Sequence, residues 1–301
     1  MAKIKSYSRA TLSDRIFDGG NNIFMALVLI ATLYPFLHVL AISFNDSTDT
    51  VRGGIYLWPR QFTLDNYIAI FTFGSLTTAF KISVLRTVIG TLLGLLACSM
   101  LAYTLSRKDF QGRKFISTFL VLTLYVSGGL IPGYLLFRDL NLLNSFWVYV
   151  LPGMVNAFNV FIIRSYMDNL PGALQESAKI DGANDFTIYW RIILPLCKPV
   201  MATIALFIAV GQWNAWFDTY LYNGSANHLT TLQFELMKIL QSTQTGNNAA
   251  YGNNIAERMQ SVSPDSVKMA ITIVTIVPIL LVYPFLQRYF VKGMTLGAVK
   301  S

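Results

Sequence analysis

Six apolar stretches determine what this chain can fold into. Each is close to the roughly 20 residues that a helix needs to cross the hydrocarbon core of a bilayer. The stretches lie near residues 22–44, 82–105, 115–137, 146–166, 200–221 and 269–290. They predict an all-α, polytopic membrane protein with six transmembrane helices.

The composition supports this fold class. Of 301 residues, 54% are hydrophobic and 13% are charged, whereas about 25% are charged in soluble domains. The net charge of +8 needs no nucleic-acid partner, because the basic residues sit mostly at predicted membrane edges that face anionic lipid. No metal site is expected, since four potential ligands lack metal-binding spacing: His38, His228, Cys98 and Cys197. Structural packing is the simpler role for these four side chains.

The distribution of Lys and Arg predicts the orientation in the membrane. Most of the 23 basic residues fall in segments that are cytoplasmic if the N-terminus is cytoplasmic. The positive-inside bias therefore places both termini in the cytoplasm, together with residues 167–199. Residues 1–21 then form a cytoplasmic N-terminal segment, and residues 22–301 form the transmembrane domain.

Two external segments are too long to be simple turns. Residues 45–81 read as an extended stretch followed by a short helix that begins near Asp65. Residues 222–268 contain a helical pattern at 232–240, followed by sequence rich in Gln, Asn, Thr and Gly through Asn254. Two interpretations of this second loop stay open: a finger that reaches into an extracellular delivery protein, or a flexible cap over the pore.

The predicted cytoplasmic segment 167–199 is polar and rich in small residues. Pro171 can open a helix, because its missing N–H would be unpaired there. Gly182 predicts a break between two short helices, since glycine reaches the left-handed region without steric cost. The residues that we expect to contact a partner or shape this surface are Glu176 by its charge, Asp181 by capping the second helix, and Ser177, Ala178, Gly182 and Ala183 by their small size. The alternative is an ordinary amphipathic connector.

The order Glu176-Ser177-Ala178, Asp181-Gly182-Ala183, Leu194-Pro195 and Pro199 resembles the EAA loop of ABC importer membrane subunits, with Ser177 where Ala is usual. The resemblance covers nearly the whole chain from about residue 20. Within ABC importers, the chain is similar to the carbohydrate branch. That branch includes the smaller membrane subunit of the maltose importer, and the likeness is strongest to permeases for complex oligosaccharides in polysaccharide-degrading bacteria. Further matching stretches are residues 106–113, 127–132, 211–217 and 283–293.

This resemblance implies a type I importer permease fold whose cytoplasmic coupling helix docks on a separate ATPase. It implies alternating access in a bacterial plasma (inner) membrane. The implied partners are a homologous second permease subunit, an ATPase dimer, an extracytoplasmic solute-binding protein and an oligosaccharide. The chain has no G-x-x-x-x-G-K-[ST] phosphate loop, so no cofactor is expected on it, and the partner ATPase would use ATP and Mg²⁺. Within the third span, Ser127-Gly128-Gly129 predicts close helix approach or a bend.

Polar and aromatic residues near the outer end of the fifth span are candidates for contact with sugar. Gln212, Trp213 and Asn214 combine flat apolar faces with amides that suit a sugar's hydroxyls. An aromatic belt at the membrane interface is the competing explanation, especially for the nearby Trp216 and Tyr220. Lys81 and Arg86 suit an acidic sugar such as a uronate, although snorkelling anchors have the same pattern.

An ion-coupled secondary sugar transporter is the main functional alternative. Such carriers usually keep acidic residues at mid-membrane. The predicted spans hold almost none, and Asp218 near the outer end of the fifth span is the nearest candidate. A passive channel fits the hydropathy but leaves the EAA-like segment without a purpose.

Overall fold

The structure is a computed structural model that describes residues 12–72, 74–245 and 263–298. The chain divides into two compact units, residues 1–70 with 248–273 and residues 71–247 with 274–301. Helices dominate the described residues, and an isolated β-bridge joins Asn45 to Phe62.

The first unit contains a long helix and a compact external segment. Helix α1 spans Leu12–Ser43, α2 spans Ser47–Val51, and α3 spans Asp65–Thr72 and continues past the end of the unit. The Asp46 side chain caps α2 by accepting hydrogen bonds from backbone N–H groups. Arg60 Nε lies 3.0 Å from Asp49 Oδ2, which folds the segment back on itself. The helix predicted near Asp65 is confirmed.

The second unit holds most of the remaining helices. They are α4 Gly74–Ser106, α5 Arg113–Tyr125, α6 Leu130–Asp139, α7 Ala157–Asp168, α8 Ala173–Ile180, α9 Asp185–Ile188, α10 Leu194–Leu196, α11 Lys198–Asn214, α12 Phe217–Tyr222 and α13 Leu232–Thr245. A last helix, α14, spans Pro264–Ala298 and has residues in both units. Short 3₁₀ turns occupy Phe146–Tyr149 and Asn227–Leu229, and a π-helical turn occupies Tyr189–Ile193.

Helix α4 packs through a face of small residues. The buried positions on that face include Ala79, Ser83, Gly90, Gly94, Cys98 and Ala102. Small side chains let helix backbones approach closely, which is the usual basis of packing between transmembrane helices. The approach is tightest at Gly90, where an added Cβ would lie 2.9 Å from the Gln212 side chain on α11.

The structure contains fewer continuous spans than the sequence predicts. By length and composition, three helices of the described chain can cross a membrane: Ser13–Ser43, Leu76–Ser106 and Asp265–Val282. The number rises to five if each of two bent pairs counts as one span. The α5–α6 pair bends by 120°, and the pair formed by Asp185–Leu196 with Lys198–Asn214 bends by 83°. A polytopic helical membrane protein is confirmed, whereas six uninterrupted helices are not.

Local chemistry explains the interrupted spans. The 115–137 stretch breaks at Ser127-Gly128-Gly129, where Gly129 has φ +87°, which confirms the predicted bend. The 146–166 stretch begins as a 3₁₀ turn and becomes α-helical only at Ala157, after Pro152-Gly153. Hydropathy averages over such breaks because the residues around them are apolar. The helical pattern predicted at 232–240 is confirmed as part of α13, which also includes the first residues of the Gln/Asn/Thr/Gly-rich sequence, 241–245. The rest of that sequence, through Asn254, lies outside the described residues.

Candidate functional site

The segment 167–199 forms two short helices joined by a tight turn. Gly182, with φ +80°, follows the end of α8. Its N–H donates to the Lys179 carbonyl at 3.0 Å, and the Ala183 N–H donates to the Ala178 carbonyl at 2.9 Å. These two bonds form a Schellman motif, which satisfies carbonyls that the helix end would leave unpaired. The predicted glycine break is therefore confirmed at the level of backbone geometry.

Ala178 and Ala183 face the chain's own interior. Ala178 is 7% exposed and belongs to a hydrophobic cluster that also contains residues of α4, α7 and α11. Ala183 is half-buried and packs on the same cluster. Ser177 is exposed, and its hydroxyl donates to the Leu174 carbonyl at 3.3 Å. The small size of the two alanines thus lets α8 approach this chain's own helices.

The cap of the second helix differs from the sequence prediction. Asn184 is the N-cap of α9, and its Oδ1 accepts a hydrogen bond from the Thr187 N–H at 2.8 Å. Asp181 instead stands at the C-cap of α8 in a near-helical conformation. The capping role predicted for Asp181 was therefore wrong. Asn and Asp are about equally good caps, and the position of the turn decides between them.

The outward face of this segment includes the Glu176 carboxylate and large apolar side chains. Glu176 is exposed and forms no salt bridge with any described residue. Ile180 is 87% exposed, Phe186 64% and Trp190 51%, and the Phe186 and Trp190 rings stack at 6.3 Å between centroids. Sequence reasoning missed these three residues, because an apolar run beside a predicted span also fits core packing. A helical-period count that put Ala178 and Ile188 inside could have found them.

An arginine holds the second short helix against the end of α4. Arg107 is bidentate to Asp109, and its Nη1 donates to Asp185 Oδ1, the first residue of α9, at 2.7 Å. The same nitrogen lies 3.3 Å from the Tyr103 hydroxyl, and Lys179 on α8 lies 3.4 Å from Asp109. The Arg107 guanidinium holds the pKa of the Asp109 carboxyl well below its usual range. The Asp109 carboxylate therefore stays charged at physiological pH.

A second arginine lies buried in the transmembrane region of the same unit. The Arg86 side chain on α4 is 2% exposed and is paired with Asp218 on α12. It donates to Gln212 Oε1 through Nε and Nη2, both at 3.1 Å, and to the Ala215 carbonyl at 3.3 Å. Its guanidinium carbon lies 4.3 Å from the centre of the Tyr149 ring.

The remaining predicted sugar contacts separate into engaged and exposed side chains. Both ends of the Gln212 amide are engaged within the protein. Its Oε1 accepts from Arg86, and its Nε2 donates to the Tyr149 carbonyl at 3.1 Å. Trp213 is 7% exposed, and its Nε1 donates to the Thr275 carbonyl at 3.0 Å. Asn214 and Lys81 are exposed. Across the described ranges, no cluster of three or more His, Cys, Asp or Glu is arranged to hold a metal ion.

Comparison with known proteins gives consistent relatives along the whole chain. The chain is 39% identical over 291 residues to the polygalacturonan/rhamnogalacturonan transport system permease protein YtcP of Bacillus subtilis, covering 96% of this chain and 100% of YtcP. It is 37% identical to protein LplC of the same organism, covering 97% of each chain.

A solved structure is similar over nearly the same length. It is the crystal structure of a bacterial ABC transporter involved in the import of the acidic polysaccharide alginate, with a TM-score of 0.84 and 29% identity. The match covers 94% of this chain and 99% of that chain. Residues 11–296 also match a family model described as binding-protein-dependent transport system inner membrane component. The chain therefore belongs to the family of inner membrane components of binding-protein-dependent transport systems.

Proposed function

We propose that this chain is a permease subunit of an ABC importer for an oligosaccharide that contains acidic sugar residues. The observation that carries the proposal is the 39% identity to a polygalacturonan/rhamnogalacturonan permease over 96% of this chain and 100% of that protein. The similarity to an importer of the acidic polysaccharide alginate supports the same substrate class. Transport would proceed by alternating access, powered by separate ATPase subunits.

The coupling surface of this importer would be the outward face of α8, α9 and the π-helical turn that follows α9. Glu176 offers an exposed charge, and Ile180, Phe186 and Trp190 offer apolar area that a partner can bury. Exposed aromatic side chains of this kind are enriched at protein interfaces. The full assembly would add a homologous permease, two ATPase subunits and a solute-binding protein, with both termini of this chain in the cytoplasm.

Among the candidate sugar contacts, Asn214 and Lys81 have side chains that a substrate can reach. An amide offers both a donor and an acceptor to hydroxyls, and an ammonium group suits a uronate carboxylate. Gln212, Trp213 and Arg86 would act on the substrate only through the positions of their neighbours. This assignment divides the five predicted residues by exposure.

Asp218 bears on the alternative of an ion-coupled carrier. A coupling-ion site needs a carboxylate that is free to bind a proton or sodium ion. The Asp218 carboxylate is instead paired with the Arg86 guanidinium. This pairing supports the ATP-driven importer over an ion-driven carrier.

The experiment that tests the proposal is ATPase activity of the complete complex in lipid vesicles. The complex contains this chain, its permease partner and the ATPase, with binding protein loaded in turn with oligogalacturonate, an alginate oligosaccharide or a neutral oligosaccharide. We expect stimulation by a binding protein loaded with an acidic oligosaccharide. Stimulation by the neutral sugar alone would contradict the substrate class. No stimulation by any loaded binding protein, with an intact complex and a competent ATPase, would contradict the importer assignment.

A further inference from the structure

Helix α4 is a single unbroken element that connects the segment 167–199 with a polar cluster formed by Arg86, Gln212 and Asp218. It runs from Gly74 to Ser106 without a proline. At 1.5 Å per residue, its 33 residues correspond to about 50 Å. The neighbouring α5–α6 and α11–α12 stretches are interrupted, so α4 is the helix of this unit that can carry a displacement along its axis without a hinge.

The end of α4 near Ser106 is bonded at two levels to the segment 167–199, called the coupling segment below. The Ser99 hydroxyl lies 2.8 Å from the Tyr189 hydroxyl in the buried core. Eight residues further along the chain, Arg107 donates to Asp185 Oδ1 at 2.7 Å, and its guanidinium also forms a salt bridge with Asp109. The Arg107 side chain is 11% exposed, whereas the Asp109 and Asp185 side chains are 61% and 66% exposed, so the arginine is fixed by packing while its carboxylate partners stay in contact with water. A shift of α9 therefore pulls on the end of α4.

The opposite part of α4 is bonded to both sides of the α11–α12 break. The five N–H groups of Arg86 make five hydrogen bonds: two to Gln212 on α11, two to Asp218 on α12, and one to the carbonyl of Ala215, at the break itself. That carbonyl ends α11, where a cation is favoured by the helix dipole. With every donor occupied, Arg86 has none left for a sugar carboxylate. The geometry of Arg86 fits a residue that positions α11 and α12 at the break between them.

We propose that the part of α4 from Arg86 to Ser106 is a rigid link that transmits movement of the coupling segment to the α11–α12 break. Arg86 within the helix and Arg107 directly after it are the positioning residues. This inference rests on the proposed function. The two arginines are 21 residues apart along the chain, or about 32 Å at a helical rise. Arg107 joins α4 to α9 of the coupling segment, and Arg86 joins α4 to both sides of the α11–α12 break. Loss of either one breaks the same chain of contacts.

The test measures sugar transported per ATP hydrolysed in the reconstituted complex. The variants are Arg107→Gln, Arg86→Gln and the double variant, with Arg138→Gln as the matched control, because Arg138 is an exposed arginine paired with its neighbour Asp139. We expect basal ATPase activity to persist and the transport ratio to fall about tenfold in each single variant, within the range of ordinary coupling energies. The double variant should lose no more than the worse single variant, because both act in one series. Arg138→Gln should match the wild type.

Two further variants separate positioning from folding. Arg86→Gln leaves the Asp218 carboxylate without its cation, which can destabilise the fold by itself. Arg86→Gln combined with Asp218→Asn removes both charges together and avoids this unpaired charge. Asp185→Asn weakens the Arg107 contact and should reproduce the loss of Arg107→Gln. The inference is overturned if assembled variants transport at the wild-type ratio, if losses multiply in the double variant, or if all these variants fail to assemble. A wild-type complex that imports no acidic sugar would instead contradict the proposed function.

Discussion

At the scale of single residues, Gly182 sets the geometry of the turn between α8 and α9 in the segment 167–199, the proposed coupling segment. Its φ of +80° costs an L-residue with a β-carbon about 1–2 kcal/mol, although no atom lies within 4 Å of an added Cβ. Conformational strain therefore limits this position, and space does not. We expect Gly182→Val to insert normally and to lower stimulated ATPase activity, measured in the reconstituted complex.

The series Gly182→Asn, Gly182→Ala and Gly182→Val separates backbone strain from surface contact. Asn adopts the left-handed region more readily than Ala or Val, so Gly182→Asn should retain most of the coupling. A Gly182→Val complex with full stimulated activity would contradict the strain argument. Loss of that variant from the membrane would assign Gly182 to folding.

Gly90 carries a second prediction at this scale, because it sits against the Gln212 side chain. A Cβ at Gly90 would lie 2.9 Å from the Gln212 amide, which is already tied to Arg86 and Tyr149. Gly90→Ala should therefore displace the amide and destabilise the protein by about 1–3 kcal/mol, as overpacking usually does. The measurement is thermal unfolding in detergent.

Gly94 is the matched control on the same helix face. There an added Cβ would lie 3.4 Å from an Ile208 side-chain carbon and 3.5 Å from the Met154 carbonyl, which is ordinary contact. Gly94→Ala should change the unfolding temperature little. Equal effects of the two substitutions would show that the Gln212 contact has no special weight.

At the scale of elements, the N-cap of α9 tests where the coupling segment gains its stability. Asn184→Ala removes the hydrogen bond that the Thr187 N–H donates to Asn184 Oδ1 and should destabilise α9 by about 1 kcal/mol. Asp181→Ala removes no capping bond of α9 and should have a smaller effect. Hydrogen exchange at the first amides of α9 measures the difference. Greater exchange in the Asp181 variant would restore the capping role to Asp181.

The elements also show where sequence reasoning succeeds. The Gly182 turn and the short helix at Asp65 follow from local chemistry, namely a residue free to take positive φ and an acidic residue in the first turn of a helix. The bend at Ser127-Gly128-Gly129 also follows from small residues, whereas the break at Ala215 was not predicted, because the residues on both sides of it form one largely apolar stretch. Hydropathy describes which residues avoid water, and it does not report where the backbone stops being helical.

The polar cluster shows why the candidate sugar site was only partly predictable. The sequence shows only that Arg86 is basic and lies near the outer end of a predicted span. That position fits either a membrane anchor or a contact with an acidic sugar. Its partners are more than 120 residues away in sequence, so only the folded chain shows that its donors are occupied. The same holds for Trp213, whose N–H finds the Thr275 carbonyl. Exposure, and not residue type, leaves Asn214 and Lys81 as candidate contacts.

At the scale of the whole molecule, helix α1 exposes apolar side chains along its candidate membrane span. In the candidate span Ser13–Ser43, 0% of the most apolar window is buried. Leu27, Leu29 and Ile30 are each more than 60% exposed. A soluble monomer would rarely expose such an area, whereas a membrane protein can cover it with lipid or a second permease. The family assignment and this surface therefore agree.

Orientation in the membrane is the final prediction at this scale, and single cysteines can test it. The two native cysteines, Cys98 and Cys197, are both 0% exposed, so they give a low labelling background. Ile180 is 87% exposed on the coupling segment, and Leu140 is 58% exposed just after α6. The positive-inside bias places the first in the cytoplasm and the second outside. A membrane-impermeant maleimide should therefore label Leu140→Cys in intact cells and Ile180→Cys only in inside-out vesicles.

The partner ATPase adds a second comparison to the same experiment. If Ile180 lies on the surface that docks the ATPase, adding that subunit to inside-out vesicles should slow labelling of Ile180→Cys. Leu140→Cys is the control, and its labelling in intact cells should be unaffected by co-expression of the ATPase. Labelling of Ile180→Cys in intact cells would reverse the topology. Labelling in vesicles that is equally fast with and without bound ATPase would keep the topology and move the docking surface away from Ile180.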